Sequence, residues 1–96
     1  MADISGRGAA NWKDEDAYWR ENYRSRPYGQ GAYDDWQPAY RFGYEAANRH
    51  SGRQWNDVER DLEREWDTSE YRADNRSTWQ QVKDATRDAW NRVTGN

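Results

Sequence analysis

The C-terminal half of the chain carries one hydrophobic pattern twice. Trp55, Val58 and Trp66 recur as Trp79, Val82 and Trp90, offset by 24 residues each time. At about 100° per residue on a helix, this spacing puts Trp55, Val58, Leu62 and Trp66 on a stripe only about 80° wide. Trp79, Val82, Thr86 and Trp90 fall in the same way. Each segment is therefore predicted to be an amphipathic helix with a tryptophan at both ends of a narrow apolar face, the first over Trp55 to Tyr71 and the second over Trp79 to Val93. Thr86 stands where an apolar residue would be more natural, so the second stripe is expected to pack less tightly. Thr78 and Gln81 form a capping box for that helix, and Gly95 follows its end.

A third main helix is predicted over Gln37 to His50. There Tyr40, Tyr44 and Ala47 form one stripe and Ala39, Phe42 and Ala46 the neighbouring one, with Asp34 or Asp35 as cap, Pro38 in the first turn and Ser51-Gly52 as the stop. Gly43 costs that helix about 1 kcal/mol of propensity, which anticipates close approach of another helix. Upstream, Asp14, Glu15 and Asp16 lead into Ala17 to Tyr23, a short helix near 14–23 on which Trp19 and Tyr23 share a face. Pro27, Gly29 and Gly31 then break the pattern into an extended linker, and Met1 to Asn11 reads as a frayed terminus. The expected architecture is all-α, a small bundle of three main helices with an aromatic core in residues 35–96, preceded by a flexible, partly disordered arm in residues 1–34. The expected core is Trp55, Val58, Leu62, Trp66, Trp79, Val82, Trp90, Tyr40 and Tyr44.

Composition sharpens this picture. Leu, Ile, Val and Phe together number only six, against seven Trp and seven Tyr. So few aliphatic residues would ordinarily mean disorder, but each buried aromatic ring removes roughly 150–250 Å² from water. The compromise is an aromatic core in a very hydrophilic coat, marginal alone and expected to lean on self-association. Net charge is −3 with both signs interspersed. A duplex-binding protein would carry a basic face, and none is visible. Acid and arginine recur at helical spacing as Asp57 with Arg60, Asp61 with Arg64, Asp84 with Arg87 and Asp88 with Arg92, each pair expected to stabilise its own helix by about 0.2–0.5 kcal/mol. Cysteine is absent and no run is apolar enough to span a membrane, so a cytoplasmic location without membrane contact is expected.

Residues suited to catalysis are few. His50 is the single histidine, and its place at a helix end beside Ser51 suits the helix dipole better than a catalytic pair. Carboxylates such as Asp57 and Asp61 alternate with arginines, as on a solvated face. No phosphate-binding loop, dinucleotide fingerprint or metal-ligand spacing is present, so no catalytic residue, cofactor or metal site is expected. The one stretch in which cations and aromatics interleave without acids is Arg24 to Tyr33. Tyr23, Arg24, Arg26 and Tyr28, with Trp12, Trp19 and Trp36, are therefore the candidate interaction residues, able to stack on bases or on other aromatic chains.

The ordered segments YWRENYRSRPY, PAYRFGYEAA, GRQWNDVE and STWQQVKDATRDAW resemble a group of small, hydrophilic, Trp/Tyr-rich bacterial proteins associated with stress-response contexts. The likeness covers most of Asp14 to Gly95. It implies a non-enzymatic role under stress, and no catalytic residues or cofactors come with it. The expected function is that of a structural or interaction protein acting on itself, as a homo-oligomer, or on another protein. A single-strand nucleic-acid binder using the Arg/Tyr arm is the alternative, and a small enzyme a distant third.

Overall fold

The computed structural model describes residues 11–50, 52–71 and 78–95. Its named elements are α1 (Trp12–Asn22), short 3-10 turns at Tyr23–Ser25 and Tyr33–Asp35, α2 (Gln37–Arg49), α3 (Trp55–Thr68) and α4 (Trp79–Thr94). The frayed terminus read into Met1 to Asn11 lies, apart from Asn11, outside the described residues, as do Ser51 of the expected stop and residues 72–77 of the connector.

The core is built on a crossing of α2 and α4 made from small residues. Ala39, Gly43 and Ala46 of α2 and Ala85, Thr86 and Ala89 of α4 are all buried. A Cβ at Gly43 would lie 2.3 Å from the Thr86 carbonyl oxygen and 3.0 Å from the Ala89 Cβ, so only glycine lets the backbones approach this closely. That is the close approach its cost in propensity anticipates. Thr86 is also suited to the crossing: fully buried, it donates its hydroxyl to the Ala39 carbonyl at 3.1 Å. The expectation of loose packing at Thr86 is thus corrected, because the hydroxyl finds a backbone acceptor across the joint and leaves no unsatisfied polar group.

The flanking helices attach through large rings. On α3, Trp55, Val58, Leu62 and Trp66 are buried as one stripe. Trp66 meets Phe42 edge to face at 5.3 Å, while Trp55 lies parallel to Trp79 and edge-on to Trp90. On the other side, Trp19 of α1 stacks on Tyr40 with centroids 4.4 Å apart and planes 5° from parallel. Trp55, Val58, Leu62, Trp66, Trp79, Val82, Trp90 and Tyr40 are all buried, and Tyr44 is half-buried beside Trp12.

Helix ends follow local chemistry, with two departures from expectation. α4 starts as predicted, the Thr78 N–H donating to the Gln81 carboxamide at 2.9 Å, and ends on Gly95 in the left-handed region at φ 84°. α1 begins earlier than the acidic run suggests, at Trp12, because the Asn11 carboxamide accepts from the Asp14 N–H at 2.9 Å. α2 is not capped by an aspartate. Asp34 and Asp35 are used in the preceding 3-10 turn, and Trp36 stands at the cap position with no side-chain hydrogen bond to the helix.

Candidate functional site: an arm clamped across the last helix

The segment from Trp12 to Asp34, expected to lie in a flexible arm with a short helix near 14–23, is folded onto α2 and α4. Two features shape it locally. Gly29 sits so close to the Tyr23 carbonyl that a Cβ would fall 1.8 Å from its oxygen, and Gly31 takes a φ of 77° that side chains disfavour. The Tyr23 hydroxyl donates to the Gly31 carbonyl at 2.6 Å, and Trp36 Nε1 donates to the Gln30 carbonyl at 2.8 Å, so the loop is tied at both ends.

Two ion pairs of opposite polarity then fasten the arm to α4. Arg26 reaches Asp88 with both limbs of its fork, Nε to Oδ2 at 2.8 Å and Nη2 to Oδ1 at 3.1 Å, a geometry that fixes orientation as well as charge. Tyr28 adds its hydroxyl to the same Asp88 Oδ2 at 2.6 Å and lies 2.9 Å from the Tyr40 hydroxyl. In the second pair the polarity is reversed: Arg92 of α4 donates Nε to Glu15 Oε1 of α1 at 2.9 Å and lies over the Tyr18 ring at 3.5 Å from its centroid. A third carboxylate, Asp16, accepts from the Tyr33 hydroxyl at 2.7 Å and from Gln37 Nε2 at 2.9 Å, tying α1 to the start of α2.

These settings move the protonation equilibria. Burial pushes the Glu15 carboxyl up, and the Arg92 guanidinium offsets only part of that. Burial acts in the same sense on Asp16, but the hydrogen bonds from Gln37 and Tyr33 and the charge of Arg20 together hold it below its usual value. Burial, followed by donation to Asp88, raises the Tyr28 hydroxyl far out of its ordinary range, and burial with donation to Asp16 does the same for Tyr33. Tyr40 is pushed up to about 12, chiefly by burial.

The candidate interaction residues are therefore brought together, but mostly in contacts within the chain. Trp19 and Tyr23 are buried, while Trp12, Tyr28 and Trp36 are half-buried. Arg26 is paired with Asp88, and exposed Arg24 rests on Tyr23, its Nε 3.1 Å from the hydroxyl. Glu15, Asp16, Asp88 and Arg92 are not among the candidate interaction residues: the sequence presents them only as helix-start acids and as an intrahelical pair. Helical spacing suggests Asp88 for Arg92, yet each takes its partner from the arm. Of the four intrahelical pairs expected, Asp61 with Arg64 forms, while Arg87 lies over the Trp55 ring.

A separate open groove of about 410 Å³ lies between the start of α3 and α4, lined by Gln54, Trp55, Asn56, Arg87 and Asn91. His50 caps the end of α2 through its backbone, and its Nε2 is buried with no hydrogen-bond partner among the described residues. Among the described residues no group of three or more histidines or carboxylates could hold a metal ion, and no helix is long and apolar enough to cross a membrane. No protein-family model, curated protein or solved structure matches this chain.

Proposed function

We propose that this protein is a non-enzymatic interaction protein that works through self-association, in the stress-associated bacterial setting that its sequence resemblance implies. The observation that carries this reading is the distribution of its aromatic rings. Trp12, Tyr18, Tyr28, Trp36, Tyr44 and Tyr71 are half-buried, and each leaves part of an aromatic ring accessible to a second molecule. Half-buried aromatic rings with polar edges suit protein interfaces. The nucleic-acid alternative has less support, because the Arg26 guanidinium and the Tyr28 hydroxyl it would use are already held by Asp88.

Molar mass measured by light scattering across a wide range of protein concentration tests the reading. Mass and melting temperature should rise together with concentration. A monomer with a concentration-independent melt at every concentration would overturn it. A labelled single-stranded oligonucleotide at low salt, added to the wild type and to Arg24→Ala/Arg26→Ala, separates the alternative, since tight binding lost in the double variant would favour nucleic acid instead.

A further inference from the structure

We propose that the Trp12–Asp35 arm is exchangeable, leaving its own α2 and α4 to dock in the same way on those of a second copy of the chain. This rests on the self-association reading above and specifies its route.

The charge arrangement on α4 is the central observation. Asp88 and Arg92 stand one helical turn apart, with the acid on the N-terminal side, which is the favourable order for an ion pair within a helix. In the closed chain neither uses the other: Asp88 is held by Arg26 and Arg92 by Glu15. When the arm leaves, both α4 charges keep a partner at hand, and the two arm charges pass into water. Opening thus exchanges two pairs between elements for one pair within a helix, without leaving a buried charge alone. The Arg26 side chain is 43% exposed even in the closed state, so on opening its guanidinium passes into water and is not stranded in the interior.

The rest of the arm fits the same reading. Its contacts with α4 join residues 62 and 77 positions apart, so they do not depend on chain continuity and can form equally between two copies. The pivot falls at Trp36, where α2 begins without a side-chain cap and Pro38 occupies the first turn. The occupant is a second copy because an arm of identical sequence reproduces every contact, with Arg26 on Asp88, Glu15 on Arg92, Tyr28 on Tyr40 and Trp19 on Tyr40, and two arms exchanged in this way close a twofold dimer.

Charge reversal split between two chains tests it. Arg26→Glu carries an arm that repels its own α4, and Asp88→Arg carries an α4 that repels its own arm. Mixed one to one, an exchanged dimer sets the introduced glutamate against the introduced arginine in one half and the native Arg26 against the native Asp88 in the other, so both halves are matched. Native mass spectrometry should show a heterodimer at least roughly ten-fold more stable than either homodimer, with a melting temperature above both variants. Arg26→Glu/Asp88→Arg in one chain should recover wild-type behaviour. If the mixture stays unassociated and its melt does not rise, exchange is overturned. The wild-type concentration series then decides separately whether self-association by another face survives. If the single variants do not fold apart, co-refolding decides the matter: a folded one-to-one species supports exchange, and continued failure overturns it.

Discussion

At the scale of single residues, the α2–α4 crossing sets the strictest demands. Gly43→Ala adds one methyl where the opposing Thr86 carbonyl oxygen would be 2.3 Å away, and backbone cannot turn aside as a side chain can. The expected cost is about 1–3 kcal/mol or more from overpacking, despite a gain of about 1 kcal/mol in helix propensity. Thr86→Val keeps the volume and removes only the hydroxyl bond to Ala39, for about 0.5–1.5 kcal/mol. Chemical denaturation of both variants should therefore rank Gly43→Ala as the more damaging. The reverse order would mean that the helices separate easily and that the joint is not close-packed. Trp90 is fully buried, with its Nε1 lacking an acceptor among the described residues. Trp90→Ala should cost about 3–5 kcal/mol through the cavity it leaves. If denaturation showed that variant to be as stable as the wild type, the repeat would not be the core.

At the scale of elements, the ion pair between α1 and α4 is asymmetric, and that asymmetry is measurable. The Glu15 side chain is 4% exposed while that of Arg92 is 38% exposed. Removing the arginine strands a buried carboxylate, whereas Glu15→Gln leaves an arginine that can turn to solvent. Arg92→Ala is thus expected to destabilise by about 1–3 kcal/mol at neutral pH, at the upper end of that range, and Glu15→Gln by less. The pH dependence follows from the raised Glu15 equilibrium. Between its unfolded and folded pKa values the native state binds more protons than the unfolded chain, so the Glu15 contribution to stability falls as pH rises through that window. Arg92→Ala removes the offsetting charge, widens the window and should lose more stability than the wild type between mildly acidic and neutral pH. Equal slopes for the two proteins would show that Glu15 is not buried with Arg92 as its counter-charge.

What can be read from the sequence also divides at this scale. Periodicity locates α2, α3 and α4 to within a few residues, and Gly43 announces a close crossing, because both signals are local to one helix. The arm reads as flexible from sequence because its glycines and Pro27 report backbone irregularity and say nothing of where tyrosine hydroxyls find acceptors. Asp88 and Arg92 read as partners of each other for the same reason. Within one helix that pairing is the best available, and only the placement of α1 and the arm beside α4 offers each a better partner.

At the scale of the whole molecule, tyrosine hydroxyls fasten the fold where another protein would use aliphatic side chains. Tyr28 donates to Asp88, Tyr33 to Asp16 and Tyr71 to Glu45 Oε1 at 2.7 Å, joining the loop to α4, the loop to α1, and the end of the α3 region to α2. All three hydroxyls donate to carboxylates, so ionisation would convert each bond into a repulsion. Burial and these bonds raise all three, Tyr71 to about 12, and burial raises Tyr40 to about 12 as well, against an ordinary value of 10.0. Above that ordinary value the unfolded chain gives up these protons while the native state keeps them. The stability these hydroxyls contribute is then fully present below about pH 10 and is lost as pH climbs toward and past the folded values. In an alkaline titration followed by tyrosinate absorbance and circular dichroism together, the last part of the tyrosinate signal should appear only as helicity collapses, in one cooperative step. If all seven tyrosines ionised near their ordinary value with helicity intact, these hydroxyls would not be buried donors, and the arm would not be held where the structure places it.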